Sequence, residues 1–97
     1  MSRVAGKPYF VYVLWSAGGA RFYIGISEDP SQRLDQHNSD IRAGWTKRHR
    51  PWTLVHLEKY DTYTQARARE RELKAQKGGA GFFAKTGLDP DTFKHGS

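Results

Sequence analysis

Glu70 is a carboxylate in a place that calls for an apolar side chain. Tyr63, Ala66, Glu70, Leu73 and Lys77 follow one another at three- and four-residue spacings, which puts them on one stripe of a helix. That stripe holds the helix's apolar residues, so Glu70 points towards the interior or its rim. An unpaired carboxylate taken out of water costs several kcal/mol, a large share of the stability of a small domain. A cation beside it is therefore required: a metal ion, Arg33 or Lys74. An i,i+4 ion pair with Lys74 on a solvated face is the plainer alternative. Glu72 lies on the other side of the helix and suits that solvated face better.

Arg33 and His37 stand one helical turn apart, so their side chains project together. A guanidinium fork next to an imidazole is suited to gripping a phosphate oxygen and managing a proton, although for two polar residues alone a solvated helix face is the plainer reading. Tyr12 and Tyr23 are hairpin tyrosines, and most tyrosines on strands are core residues with a satisfied hydroxyl; the alternative is a functional group. A free phenol is ionised about once in a thousand at pH 7, and lowering its pKa to 7 takes roughly 4 kcal/mol of help from positive charge. Lys47, Arg48 and Arg50, between Trp45 and Trp52, form a basic segment interleaved with aromatics, which can grip phosphates and stack on bases or simply be a solvated loop. Arg67, Arg69, Arg71 and Lys74 add to a positive field around the helix of Glu70.

Other chemistries lack their parts. No glycine-rich turn leads into Lys-Ser/Thr, and Gly78-Gly79-Ala80-Gly81 has no strand before it. The histidines at 37, 49, 56 and 95 do not have a zinc spacing, and the absence of cysteine removes thiolate chemistry and disulfides.

The elements that must position these residues follow from pattern. Residues 8–15 are aromatic and β-branched, a strand; 21–27 is a second strand, joined to the first through Ser16-Ala17-Gly18-Gly19 as a hairpin. Asp29-Pro30 starts a helix that runs to about Asn38, with Leu34, His37 and Ile41 at helical spacing. Residues 39–50 read as a polar, basic loop and 52–60 as a third strand. Thr62 or Thr64 caps a second helix that continues to about Lys77 and ends at Gly78-Gly79. Phe82, Phe83, Leu88 and Phe93 fold back on the domain from a C-terminal tail. The sum is an α+β fold: a small three-stranded antiparallel sheet flanked by helices, in the order β-β-α-β-α plus the tail.

The chain has 97 residues, which predicts one domain with a core over about 8–78 and an extension over 79–97. Its net charge of +6 favours a polyanionic partner, nucleic acid before membrane. No apolar run approaches the roughly 20 residues of a membrane span, and no secretory leader opens the sequence. A cytoplasmic, membrane-independent protein is the expectation.

The order of motifs resembles the GIY-YIG nuclease superfamily, above all its small single-domain members. Tyr23-Ile24-Gly25 stands intact, and Phe10-Val11-Tyr12 occupies the first motif, with Phe in place of its glycine. Arg33-Leu34-Asp35-Gln36-His37-Asn38 is similar to the Arg-x-x-x-His-Asn run of the small members. Thr46-Lys47, Pro51-Trp52 and Leu54-Val55 resemble the segment leading into their third strand. Glu70-Arg71-Glu72-Leu73-Lys74 matches the helix that supplies their metal ligand. The resemblance covers about Tyr9 to Lys77. It implies DNA hydrolysis, on branched, flap or single-stranded substrates, with one divalent ion, Mg²⁺ or Mn²⁺, held by Glu70. It further implies that Arg33 offsets charge on the phosphate and that one tyrosine, Tyr12 by preference, deprotonates water. His37 orients a group or accepts the proton, Lys47, Arg48, Arg50 and Lys74 hold nucleic acid, and a protein partner supplies targeting. A non-catalytic nucleic-acid-binding module of the same fold is the alternative.

Overall fold

The computed structural model describes residues 7–39 and 49–93. Lys47 and Arg48 lie outside them, as do Ile41 and Trp45. Strands β1 (Tyr9–Ser16) and β2 (Arg21–Ser27) form the expected antiparallel hairpin, in a register that sets Tyr12 opposite Gly25 and Leu14 opposite Tyr23. The buried Ser16 hydroxyl accepts a bond from the Gly19 amide at 3.0 Å and donates to the His49 carbonyl, fastening the turn to the segment before the third strand. Strand β3 (Thr53–Tyr60) pairs antiparallel with the other side of β1, giving the order β2-β1-β3. The register slips between Val13 and Leu14, where Val55 is the extra residue of a bulge.

β1 is central and covered on both faces, which explains why its sequence is continuously apolar rather than alternating. Val11 and Val13, with Phe22 and Ile24, pack against α2 (Tyr63–Ala75) and α3 (Ala80–Thr86). Tyr12 and Leu14 face the other way, into a cluster with Trp52, Tyr23, Leu54 and Leu34 of α1 (Pro30–Asn38). Successive residues of one strand thus feed two different layers.

Both long helices start as their sequences direct. Asp29 caps α1 by accepting the Gln32 amide at 3.1 Å, with Pro30 in its first turn. Of the two threonines considered for α2, Thr62 is the cap: it and Gln65 form a reciprocal capping box. The left-handed Gly78, at φ 80°, closes the turn beyond α2. The end of α1 is fixed by Asn38, whose side chain donates to the Trp52 carbonyl at 3.0 Å and accepts the Trp52 amide at 2.6 Å. That pair copies a β-ladder contact and ties the helix of Arg33 and His37 to the start of β3.

The C-terminal segment differs from a tail. Residues 80–86 form α3 and Pro90–Phe93 a 3₁₀ turn. With Gly79 as its cap, Gly81 in its first turn and seven residues in all, α3 has neither propensity nor length to form alone. Packing makes it: Phe82 is fully buried with its ring 4.8 Å from Phe22, and Phe93 lies 5.2 Å from the same ring. The aromatics fold back as their composition predicts, and the core runs past Lys77 to reach them.

A separate polar cluster locks β3 to the helices. Glu58 accepts from Arg69 and Tyr60 and bonds His56, while Arg69 also reaches Glu72 and the Lys85 carbonyl. Burial works to raise the Glu58 pKa, but Arg69, His56 and Tyr60 outweigh it and hold the carboxyl at about 2.

Candidate active site

Tyr12, Tyr23, Arg33 and Glu70 come from four different elements and line one concavity of about 470 Å³. It runs along the β2 edge of the sheet. Tyr23, Gly25, Ile26 and Ser27 of β2 and Tyr12 of β1 form its base, Arg33 of α1 closes one side, and Tyr63, Arg67, Glu70 and Lys74 of α2 form the other. Three cations face one carboxylate, so the surface is net positive.

Gly25 explains how groups on opposite faces of a sheet share a cleft. A Cβ at this position would stand 2.6 Å from the Tyr12 hydroxyl and 2.7 Å from its Cζ. The Tyr12 ring therefore occupies the space of the missing side chain, across the hairpin from the residue it faces in register. Any larger residue would push the phenol out of the cleft.

Tyr12 is completely buried, and its hydroxyl lies 3.2 Å from His37 Nε2. Burial pushes this phenol above its ordinary value, with the neighbouring Arg33 guanidinium pulling the other way and Tyr23 adding to the rise. Tyr23 is half-buried, with its ring centroid 4.5 Å from that of His37. His37 itself is buried behind the two tyrosines and does not line the cleft. The proximity of Arg33 and His37 expected from their spacing is thus resolved into two roles. One faces the cleft and one supports its base.

The Tyr12 hydroxyl also raises the pKa of Arg33. Arg33 Nη1 approaches Gln36 at 3.4 Å, while its buried Nε has no hydrogen-bond partner among the described residues. A buried N–H left without an acceptor is costly.

Glu70 is 8% exposed, and both of its oxygens are held. Arg67 Nη1 lies 2.7 Å from Oε1 and Lys74 Nζ 3.0 Å from Oε2. The cation demanded by the helix pattern is present twice over. The pair with Lys74 is the i,i+4 contact, but on a buried carboxylate rather than a solvated one. Arg67 is the partner that sequence reasoning passed over, although its place three residues before Glu70 was readable. Arg50 is exposed and does not line the cleft.

The donor set bears on which metal fits. Among the described residues no three His, Cys, Asp or Glu side chains gather into a metal cage. A lone carboxylate at an open cleft beside the Arg33 guanidinium suits Mg²⁺ or Mn²⁺, which keep most of their shell as water and phosphate oxygens, and does not suit structural zinc.

The comparisons with known proteins place this fold and its cleft in a class. Residues 8–81 match the family model of the GIY-YIG catalytic domain, so this chain belongs to the GIY-YIG family, a nuclease family. Within it the chain is similar to the UPF0213 proteins of Staphylococcus aureus strains Mu3, Mu50 and N315. Each is 38% identical over 66 residues, 68% of this chain and 79% of the relative. No helix among the described residues is long and apolar enough to cross a membrane.

Proposed function

We propose that this chain is an endonuclease that hydrolyses DNA phosphodiesters with one divalent ion, Mg²⁺ or Mn²⁺, selecting DNA structure or weak sequence features. The observation that carries the reading is the single cleft shared by Tyr12, Tyr23, Arg33 and Glu70. Glu70 would hold the ion, which supplies charge to the leaving oxygen when bound. Arg33 donates to a non-bridging phosphate oxygen and offsets charge as the transition state develops.

The tyrosines divide the remaining work by their exposure. Tyr12 is enclosed and its pKa is raised, which makes it a poor base for a water in the cleft. Tyr23 opens on the cleft beside Arg33 and Lys74. It takes the proton of the attacking water, whose oxygen then bonds to phosphorus as the bond to the leaving oxygen breaks. Tyr12 and His37 hold Tyr23 and the guanidinium in place from behind. Lys74 binds the adjoining backbone phosphate. In this reading residues 1–97 act as one domain in the cytoplasm, with a protein partner supplying targeting.

The test is incubation of branched, flap and single-stranded DNA with Mg²⁺ or Mn²⁺, comparing the chain with Glu70→Ala and Arg33→Ala. Cleavage reduced roughly 100- to 1000-fold or more in both variants is expected. Binding without cleavage across metals and substrates would replace the enzyme by a nucleic-acid-binding module of the same fold.

A further inference from the structure

One end of the cleft is aromatic, and the phosphate chemistry makes no use of it. Tyr63, the first residue of α2, is 52% exposed, and of the large hydrophobic side chains among the described residues only Leu57, at 46%, is also exposed. Its ring stands edge-on to that of Tyr9, with centroids 5.6 Å apart and planes at 75°. Both tyrosines line the same concavity as Glu70 and Arg33. Tyr9 packs on the core, so it braces the outer ring, and the capping box at Thr62 fixes the backbone that carries it. A braced ring with an open surface loses little freedom when something stacks on it.

Position along the helix sets what that something is. Tyr63, Arg67, Glu70 and Lys74 succeed one another at helical spacing along the cleft wall. At 1.5 Å per residue Glu70 lies about 10 Å along α2 from Tyr63. That distance spans about three nucleotides at the 3.4 Å rise of a stacked strand. Arg67, one turn from Tyr63 with its side chain 44% exposed, supplies charge between them. A base inside a duplex has both faces covered by its neighbours, so only an unpaired base presents a face to such a ring.

We infer that Tyr63, braced by Tyr9, is a stacking subsite for an unpaired nucleobase within about three nucleotides of the phosphate bound at Glu70. The inference rests on the nuclease reading above and narrows its substrate to a strand that is single, or locally opened, beside the cut.

The experiment places 2-aminopurine at successive positions of a single-stranded oligonucleotide and measures fluorescence and affinity in metal-free buffer. The wild type is compared with Tyr63→Phe, Tyr63→Leu and Tyr63→Ala, with thermal unfolding recorded for each. The wild type and Tyr63→Phe are expected to quench the probe at one position. Tyr63→Ala and Tyr63→Leu lose that quenching and bind the single strand roughly 5- to 100-fold more weakly, while affinity for a blunt duplex of equal length stays within about twofold. A Tyr63→Leu variant that binds like wild type, or equal losses on single strand and duplex, overturns the subsite. Cleavage assayed in parallel with Glu70→Gln separates the two readings. Tyr63-dependent stacking without cleavage upholds the subsite and removes the nuclease. Cleavage indifferent to Tyr63 does the reverse.

Discussion

Two residues, the glycine of the Tyr23-Ile24-Gly25 triplet and Arg67, set the terms for the other groups of the cleft. Gly25 makes room for the Tyr12 ring, so Gly25→Ala must displace a buried phenol or bend the hairpin. Overpacking of that kind costs about 1–3 kcal/mol. Chemical denaturation should register the loss, with DNA cleavage falling alongside. In a Tyr12→Leu background the alanine should cost less than about 0.5 kcal/mol, and an undiminished cost there would mean the clash lies elsewhere. Arg67 acts on Glu70 by competing for the oxygen a metal would need. Arg67→Gln removes one of the two cations that occupy the carboxylate. Titration calorimetry of Mn²⁺ into the DNA-free chain should then show tighter binding, by roughly 1.5- to 5-fold on the scale of a partly exposed ion pair. Unchanged or weaker binding would mean that Arg67 supports the site instead of guarding it. On the proposed reading, bound phosphates would draw Arg67 and Lys74 away and so couple occupancy by DNA to release of the carboxylate.

At the scale of elements, the parts governed by local chemistry were legible in the sequence. The hairpin, the caps at Asp29 and Thr62 and the extent of β2 follow from turn residues, capping residues and β-branched runs. The parts that depend on partners distant in sequence were not. α3 exists because Phe82 meets Phe22, and nothing in Ala80-Gly-Phe-Phe announces that neighbour. The candidate site divides the same way: Glu70 was visible from its stripe, but the burial that sets Tyr12 apart from Tyr23 requires the third dimension. The Glu58 cluster is another long-range product, joining β3 to Arg69 of α2 and, through Arg69, to α3. Its carboxyl sits at about 2 in the folded chain against an ordinary 4.5. A depressed folded value means that the stabilisation is complete above about pH 4.5 and drains away as pH falls towards 2. The Glu58 side chain is 16% exposed, and after allowance for solvent screening the contribution is on the order of 2 kcal/mol. Glu58→Gln should therefore lower stability by about that amount at pH 7 and flatten the acid limb between pH 4.5 and 2 in urea titrations. A variant that keeps the wild-type acid limb would assign it to other carboxylates.

Across the whole molecule the net charge of +6 admits two accounts of nucleic-acid affinity, and they differ in where the charge must lie. If the overall field carries binding, every exposed lysine counts alike. If the cleft carries it, three cations matter most: Arg33, Arg67 and Lys74, which share one surface beside the β2 edge. Each phosphate contact to a single strand contributes about 0.7 to the salt slope, so three contacts give a slope near −2 in a plot of log affinity against log salt. Lys59 is the control. It is exposed on β3, at the edge of the three-stranded sheet opposite β2, and does not line the cleft. Lys74→Gln and Lys59→Gln change the net charge equally. Fluorescence anisotropy on a short oligonucleotide without divalent ions should show the slope shrinking by about 0.7 for Lys74→Gln and holding for Lys59→Gln. Equal changes in both would hand binding to the overall field, and a flat salt response in the wild type would remove nucleic acid as the partner. The same data bear on Arg67, because a phosphate that engages Arg67 or Lys74 must outcompete Glu70 in either case, and Arg67→Gln should then shrink the slope by about the same 0.7 as Lys74→Gln does.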